Sequence, residues 1–129
     1  MGDQLKVKRR TVLDGSAKAM CFDYAVWDTR NRLVYVGIAY NFRQRWAQHV
    51  RSSWWLGEVE VDRVEVTGWP TRTAARFAEA CAINEQAAIY NTAREPSSYR
   101  RAREEEWPRP TERVIYVPDR ESVDLVQSR

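Results

Sequence analysis

The stretch from Leu33 to His49 constrains the fold most, because its pattern changes from strand to helix within a few residues. Leu33 to Ile38 form a short apolar run, interrupted only by Gly37, which is typical of a buried strand. Asn41 follows as a candidate N-cap, since its side-chain oxygen can accept a backbone N–H of a first helical turn. The sequence therefore predicts a strand followed by a basic helix from Asn41 to about residue 51.

Two pairs of side chains spaced four residues apart define the faces of this predicted helix. Arg45 and His49 share one face, while Phe42 and Trp46 share the neighbouring one. We expect the aromatic pair to be buried against the sheet. Arg45 and the single histidine of the chain would then lie side by side.

Three other segments complete the predicted fold. Residues 21–28 alternate well enough for a strand that pairs with residues 32–38 across a turn at 29–31. Residues 59–69 alternate apolar and charged side chains and predict a third strand, with a bulge near Asp62 and Arg63. Thr71 is a candidate cap for a long, alanine-rich second helix. We expect an α+β fold, a small three-stranded antiparallel sheet flanked by helices.

Length and composition indicate one domain with a real core, since 43% of the 129 residues are apolar. No apolar run is long enough to predict a membrane span, and the first twenty residues lack the apolar core of a secretory signal. Cys21 and Cys81 are too few for a disulfide framework or a zinc site. Reduced thiols in a cytoplasm are the simpler interpretation.

The charge divides the chain into three parts. Residues 1–20 hold five basic and two acidic residues, which accounts for the whole net charge of +3. This predicts a basic N-terminal arm that suits a phosphate backbone, although the charge alone fits a solvated leader equally well. Residues 21–91 form the predicted core, and residues 92–129 a charged C-terminal extension with one helix and an edge strand at 113–117.

The residues of the core resemble the GIY-YIG nuclease family over about 70 positions. Tyr35-Val36-Gly37 is similar to the second half of the family signature, and Tyr24 stands eleven residues earlier, where the tyrosine of the first half belongs. The basic helix matches the one that carries the family's arginine and histidine. Glu79, and Asn91 after it, are similar to the metal-binding glutamate and the closing asparagine.

This resemblance implies a DNA endonuclease that depends on Mg²⁺ or Mn²⁺ and leaves 5′-phosphate and 3′-hydroxyl ends. Tyr24 would be the general base for water, His49 would orient it or take its proton, and Tyr35 would line the site. Arg45 would counter the charge on the phosphate through its forked N–H groups. Glu79 would hold the metal, which keeps most of its own water ligands. Asn91 would brace the site by hydrogen bonds. We expect the side chains of this site, Glu79 and Arg45 among them, to converge on one pocket that holds the scissile phosphate beside the ion.

Taken singly, these residues have ordinary interpretations. Glu79 would face solvent on its helix, Arg45 would be a surface arginine, His49 would be partly buried, and the tyrosines would belong to the core. Two departures from the family pattern stand out. Phe22 and Asp23 replace the glycine and isoleucine of the first motif, and Ile38 stands where some members carry a lysine.

The function hypotheses follow from these residues. The first is an endonuclease of low sequence specificity, targeted by DNA structure, by dimerisation or by a partner. The second is a DNA-binding module of the same fold that does not cut, and the third is a protein-interaction domain of a phage or mobile element. The residues expected to contact DNA are Lys6, Lys8, Arg9, Arg10, Arg43, Arg45 and Arg51. Trp54 and Trp55 would either stack on unpaired bases or, more simply, pack over the sheet edge.

Overall fold

The computed structural model describes residues 4–86, 88–89 and 109–119, which form one antiparallel sheet and two α-helices. The elements in chain order are β1 (Leu5–Val12), β2 (Cys21–Asp28), β3 (Leu33–Ala39), α1 (Phe42–Ser52), a 3₁₀ helix (Trp54–Glu58), β4 (Val61–Trp69), α2 (Arg72–Gln86) and β5 (Glu112–Pro118). The five strands lie in the order β1-β5-β4-β2-β3, each antiparallel to its neighbours. No helix in the described ranges is both long and apolar enough to cross a bilayer.

The sheet corrects the prediction in two respects. It has five strands, not three, because β1 and β5 extend it beyond β4. The expectation that residues 113–117 form an edge strand is also wrong, since β1 pairs along β5 and makes it internal. Residues 5–12, which belong to the predicted basic arm, form β1. This strand lacks an apolar alternation because most of its side chains are exposed at the edge of the sheet.

The β2–β3 hairpin and its contact with β4 follow the predicted pairing. Asn31 adopts a left-handed backbone conformation in the turn, with φ of 60°. The Asp28 carboxylate accepts the backbone N–H groups of Arg30 and Arg32 there, at 3.0 and 2.8 Å. The predicted bulge in β4 is confirmed. Arg63 lies opposite Trp27 of β2 and Val61 lies opposite Asp28, so no β2 residue lies opposite Asp62.

The two helices cover opposite faces of this sheet. On the α1 face, Tyr24 and Val26 of β2 pack in one core cluster with Phe42 and Trp46 of α1 and with Trp55 of the 3₁₀ helix. Alternate residues of β2 point the other way, because successive side chains of a strand leave opposite sides.

On the second face, the α2 face, the helix contributes mainly small side chains to the packing. Cys21 of β2 and Trp69 of β4 lie in a cluster with Ala74 and Ala75 of α2. Farther along the same helix, Ala82 and Ile83 pack against Leu33 and Val36 of β3. This alanine side of α2 was predicted from the sequence.

Candidate active site

The N-terminus of α1 is fixed by the predicted cap. The side-chain oxygen of Asn41 accepts the backbone N–H of Gln44 at 3.1 Å. The helix then buries three of its side chains, Phe42, Trp46 and His49, so the single histidine enters the core instead of facing solvent. This confirmed cap sets the register that aims His49 at the sheet.

Tyr24 and His49 form a buried pair. The Tyr24 hydroxyl and His49 Nε2 are 2.6 Å apart, and the two residues are 1% and 3% exposed. The other ring nitrogen, Nδ1, lies 2.6 Å from Ser53 Oγ at the end of α1. Both nitrogens of the imidazole therefore have a hydroxyl partner.

Arg45 stands at the exposed rim of this pair. Its guanidinium interacts with the side chains of Tyr24 and Tyr35, and these interactions raise the pKa of Arg45. One of its nitrogens also donates to the side-chain oxygen of Gln48 at 3.0 Å. Since Arg45 is exposed while Tyr24 and His49 are buried, it is the member of the group that a phosphate can reach first.

Tyr35 is held by aromatic contacts. Its ring stacks on Trp55 with centroids 4.8 Å apart and planes 14° apart, and it meets the His49 ring edge-on at 5.0 Å. Trp55 packs in the core, which was the simpler of the two expectations for it. Trp54 is 70% exposed. The structure thus brings Tyr24, Tyr35, Arg45 and His49 together, as predicted.

Gly37 leaves room for the Tyr24 side chain. A Cβ atom at position 37 would overlap the hydroxyl end of the Tyr24 ring. The two residues are direct partners across β2 and β3, so the ring lies flat over the glycine. The glycine of the motif is therefore a close-approach position and not a turn.

The pair is electrically neutral at pH 7. Burial raises the pKa of the Tyr24 hydroxyl well above its usual value, Tyr35 adds to that shift, and Arg45 opposes it. Burial, with a smaller contribution from the charge of Arg45, lowers the pKa of His49 to about 4. Tyr24 therefore keeps its proton, and the His49 ring carries a single N–H.

The expectation that Glu79 shares one pocket with these four residues is wrong, since no contact between described residues joins it to them. It lies on α2, which packs on the opposite face of the sheet, and it is half-buried. Burial raises the pKa of its carboxyl group, against a smaller lowering by Arg76. Among the described residues it has no hydrogen bond or ion pair. Its charge acts instead on Cys21 and Asp23, which are two of the β2 residues on the α2 face.

Asp23 is a second carboxyl group near Glu79, and sequence reasoning gave it no role. Its Oδ1 accepts a hydrogen bond from Trp69 Nε1. Burial raises the pKa of Asp23 to about 6, and the charge of Glu79 adds to the shift, while the Trp69 bond and Arg113 oppose it. The replaced isoleucine of the motif was the only sequence signal pointing to this position.

These carboxyl groups fit a hard divalent cation. The described residues contain no group of three or more His, Cys, Asp or Glu side chains able to enclose a metal. Mg²⁺ and Mn²⁺ do not need one, because such ions keep several water ligands and bind through one or two carboxylates. The Glu79 anion is poorly compensated by its surroundings, and a cation beside it would offset the cost of its burial.

The residues predicted to contact DNA differ in their surroundings within the protein. Lys8, Arg9, Arg10 and Arg51 are exposed, and Lys6 pairs with Asp119 at 3.6 Å.

Arg43 is engaged within the protein. It donates to the Leu5 carbonyl at 3.4 Å and lies 4.8 Å from the centre of the Tyr116 ring. A cavity of about 300 Å³ between α1 and β5 is lined by Arg10 and Arg43. Arg43 therefore ties α1 to β1 and β5. Asn91 and the predicted helix at 100–106 lie outside the described residues.

Comparison with known families gives the decisive result. The family model of the GIY-YIG catalytic domain matches residues 20–92, more than half of the chain. The chain belongs to the GIY-YIG family. No curated protein and no solved structure matches.

The match agrees with the geometry of the site. The matched range of the GIY-YIG domain contains β2, β3, β4 and both helices, and it leaves β1 and β5 outside. The family is one of endonucleases, and it implies a DNA substrate. Sequence reasoning missed Ser53 as well as Asp23, although a serine four residues after a helical histidine is a usable signal.

Proposed function

We propose that the protein is a divalent-metal-dependent DNA endonuclease that leaves 5′-phosphate and 3′-hydroxyl ends. The observation that carries the proposal is the 2.6 Å contact between the buried Tyr24 hydroxyl and His49 Nε2, with the exposed Arg45 beside it. A buried tyrosine hydroxyl hydrogen-bonded to a histidine can relay a proton, and an exposed guanidinium beside them can bind a phosphate, so the arrangement suits attack of water on that phosphate.

Tyr24 would receive the proton of the attacking water while its own proton moves to His49. A free phenolate is costly here, because burial raises the pKa of Tyr24. A neutral imidazole within hydrogen-bond distance avoids that cost, since the proton can move on as the new one arrives. His49 is available as an acceptor because its pKa of about 4 keeps it neutral at pH 7.

Arg45 would bind the scissile phosphate. Its planar fork of N–H groups matches two phosphate oxygens, and it lies on the exposed side of the tyrosines. Negative charge grows on the phosphate as water attacks, so a guanidinium held there stabilises the transition state more than the ground state. Tyr35, fixed by Trp55, would line the same site.

Glu79 would hold the Mg²⁺ or Mn²⁺ ion, with Asp23 as its neighbour. Such an ion, when bound, supplies positive charge to the leaving 3′ oxygen. Glu79 and Arg45 lie on elements that cover opposite faces, and the two faces of a sheet meet at an edge. We therefore assign the substrate to the edge strand β3, near Gly37, where both helices can reach it.

DNA binding would rest on exposed basic residues without base-specific contacts. The exposed side chains of Lys8, Arg9 and Arg10 lie on β1, at the sheet edge opposite to β3, and suit the phosphate backbone at a distance from the bond to be cut. The rest of the matched domain is used for the fold and the site. Low intrinsic specificity is therefore proposed, with DNA structure, dimerisation or a targeting partner supplying selection, and a cytoplasmic location stays a prediction.

The test is nicking of supercoiled plasmid with and without Mg²⁺ or Mn²⁺. Tyr24→Phe removes one hydroxyl and keeps the ring, so we expect a loss of about 10²- to 10⁴-fold, the usual contribution of a general base. Arg45→Ala and Glu79→Gln should lose activity to a similar degree. Arg30→Ala, the same change as Arg45→Ala but in the exposed β2–β3 turn, should cut normally.

Two outcomes would overturn the proposal in favour of its alternatives. Wild-type protein that binds DNA in a salt-dependent manner but does not cut with either metal would be a binding module of the same fold. Wild-type protein with no salt-dependent DNA binding would be a protein-interaction domain.

A further inference from the structure

The hydroxyl of Ser53 is a polar group at the site to which the proposed reaction gives no role. Ser53 Oγ lies 2.6 Å from His49 Nδ1, and the Tyr24 hydroxyl lies 2.6 Å from Nε2 of the same ring. We propose that Ser53 is a positioning residue that keeps the proton of His49 on Nδ1, leaving Nε2 free to accept from Tyr24. The inference rests on the proposed function only for its effect on cutting.

The protonation state of the ring couples the two hydroxyl groups. A neutral imidazole has one donor nitrogen and one acceptor nitrogen. Tyr24 and Ser53 therefore cannot both donate to His49, nor can both accept from it. Fixing the direction of one hydrogen bond fixes the direction of the other.

The surroundings of Tyr24 decide the direction. Tyr24 keeps its proton, because its buried anion is disfavoured. Among the described residues, the one hydrogen bond of the Tyr24 hydroxyl is the contact with His49 Nε2, so the phenol proton has no other acceptor there. The Tyr24 O–H is then directed to His49 Nε2, the nitrogen within hydrogen-bond distance. The ring proton must consequently lie on Nδ1, where Ser53 Oγ accepts it.

Ser53 is placed for this task by the end of α1. Its backbone N–H donates to the His49 carbonyl at 2.8 Å, and the 3₁₀ helix starts at the next residue. The four-residue separation puts its side chain on the same side as His49. The preceding serine behaves differently, since Ser52 Oγ donates to the Gln48 carbonyl at 2.8 Å and is exposed.

Ser53 Oγ accepts the hydrogen bond from His49 Nδ1–H before, during and after the proton transfer, whose bond changes balance. An O–H bond forms on Tyr24 as water gives up its proton, the original O–H bond of Tyr24 breaks, and an N–H bond forms at His49 Nε2. The ring becomes an imidazolium with both nitrogens protonated. Its Nδ1–H still donates to Ser53, so the serine stabilises the ring before and after transfer, and the new positive charge accompanies the added negative charge on the phosphate.

Nuclear magnetic resonance of the single histidine tests the tautomer directly. In protein labelled with ¹⁵N-histidine, wild type at pH 7 should show a protonated, pyrrole-type Nδ1 and an unprotonated, pyridine-type Nε2. Ser53→Ala should move the proton partly or wholly to Nε2. Ser53→Thr, which keeps the hydroxyl, should restore the wild-type spectrum, and Ser52→Ala should leave it unchanged. A wild-type ring protonated on Nε2, or a Ser53→Ala ring still protonated on Nδ1, would overturn the assignment.

Cutting gives the second readout. Ser53→Ala should lower kcat by about 5- to 10-fold and leave KM nearly unchanged, because the hydrogen bond from Nδ1 is stronger in the charged imidazolium than in the neutral ring. Ser53→Thr should recover most of that loss, with a folded backbone spectrum required of each variant. An inactive wild type would defeat the proposed function while the tautomer measurement still stands. A normal kcat in Ser53→Ala would defeat the role of Ser53 in an active enzyme.

Discussion

The two faces of the sheet are built on different physical principles. On the α1 face the buried polar atoms satisfy one another, as in the chain from Tyr24 through His49 to Ser53, within a cluster of large aromatic rings. On the α2 face, where the helix packs through alanines, lie Asp23 and Glu79, two carboxyl groups whose pKa values burial raises. The polar groups of the first face have partners within the protein, whereas Glu79 on the second face has no hydrogen bond or ion pair among the described residues.

The size of the side chains follows the same division. The α1 face is filled by rings of Phe42, Trp46 and Trp55, which hold His49 and Tyr35 in fixed orientations. The α2 face uses Ala74 and Ala75, which let the helix backbone approach the strands closely. We infer that the aromatic face orients groups and that the alanine face brings a carboxylate near the sheet.

The largest predicted effects are on stability, and they come from opposite substitutions on the two faces: a large side chain made small on the α1 face and a small one made large on the α2 face. Trp46→Ala on the α1 face should lower the free energy of unfolding by about 3–5 kcal/mol, because it leaves a cavity in a large-ring core. Ala75→Leu, at a site that is 0% exposed on the α2 face, should cost about 1–3 kcal/mol through overpacking. Both values are read from urea unfolding.

Ala47→Leu is the control, since Ala47 is exposed on α1. It should change stability by no more than about 0.5 kcal/mol. If Ala75→Leu were as neutral as Ala47→Leu, the close approach of α2 to the sheet would be wrong.

The sequence predicts the elements of the matched core well and also the strand at 113–117, but it misses β1 and the pairing that makes β5 internal. Residues 21–28 form β2 as expected, and Asn41 and Thr71 both cap the helices they precede, Thr71 Oγ1 accepting the Ala74 N–H at 3.1 Å. These features depend on local periodicity and capping. The pairing of β1 with β5 joins segments about a hundred residues apart, and no periodicity within either strand encodes it.

The sequence likewise predicts some features of the site and misses others. The spacing of the motif predicts that Tyr24, Tyr35, Arg45 and His49 meet, and they do. The same resemblance predicts that Glu79 shares their pocket, and this is wrong, because α2 carries Glu79 on the opposite face of the sheet. The spacing also does not reveal Ser53, because the role of that serine depends on its contact with His49 Nδ1 at 2.6 Å. The placement of α2 across the sheet from α1 also escapes a one-dimensional pattern, since apolar residues on a helix show that a face is buried but not against which side of a sheet.

The second predicted effect concerns pH and belongs to the α2 face. The pKa of Asp23 is raised from 3.8 to about 6, mainly by burial, so the folded state binds its proton more tightly than the unfolded state does. The resulting stability is fully present below about pH 3.8 and is lost as the pH rises through about 6. It amounts to at most about 3 kcal/mol.

Asp23→Asn isolates this contribution, because the amide oxygen can still accept from Trp69 Nε1. The variant should be more stable than wild type at pH 7 and should lose part of the slope of unfolding free energy between pH 4 and 6. Urea titrations at several pH values measure it. Identical slopes in the two proteins would show that folding does not raise the pKa of Asp23. The α2 face would then not differ from the α1 face in holding a carboxyl group with a raised pKa.

The smallest predicted effect is a change of Tm at Glu79, and it tests most directly whether the α2 face binds a cation. Without metal, Glu79→Gln should raise Tm by no more than about 4 °C, because a half-buried anion whose pKa is raised destabilises the neutral-pH fold.

With a divalent ion, wild type should become more stable than Glu79→Gln. Mg²⁺ at ten times its Kd should stabilise wild type by about 1.4 kcal/mol and leave Glu79→Gln unchanged. Tyr24→Phe on the other face should respond to the ion as wild type does, since its hydroxyl holds no metal in the proposed site. Equal Mg²⁺ responses of wild type and Glu79→Gln would remove the ion from the α2 face. A response lost in Glu79→Gln alone would mean that the poorly compensated charge exists to bind a cation, and that the fold gives up stability at position 79 to keep it.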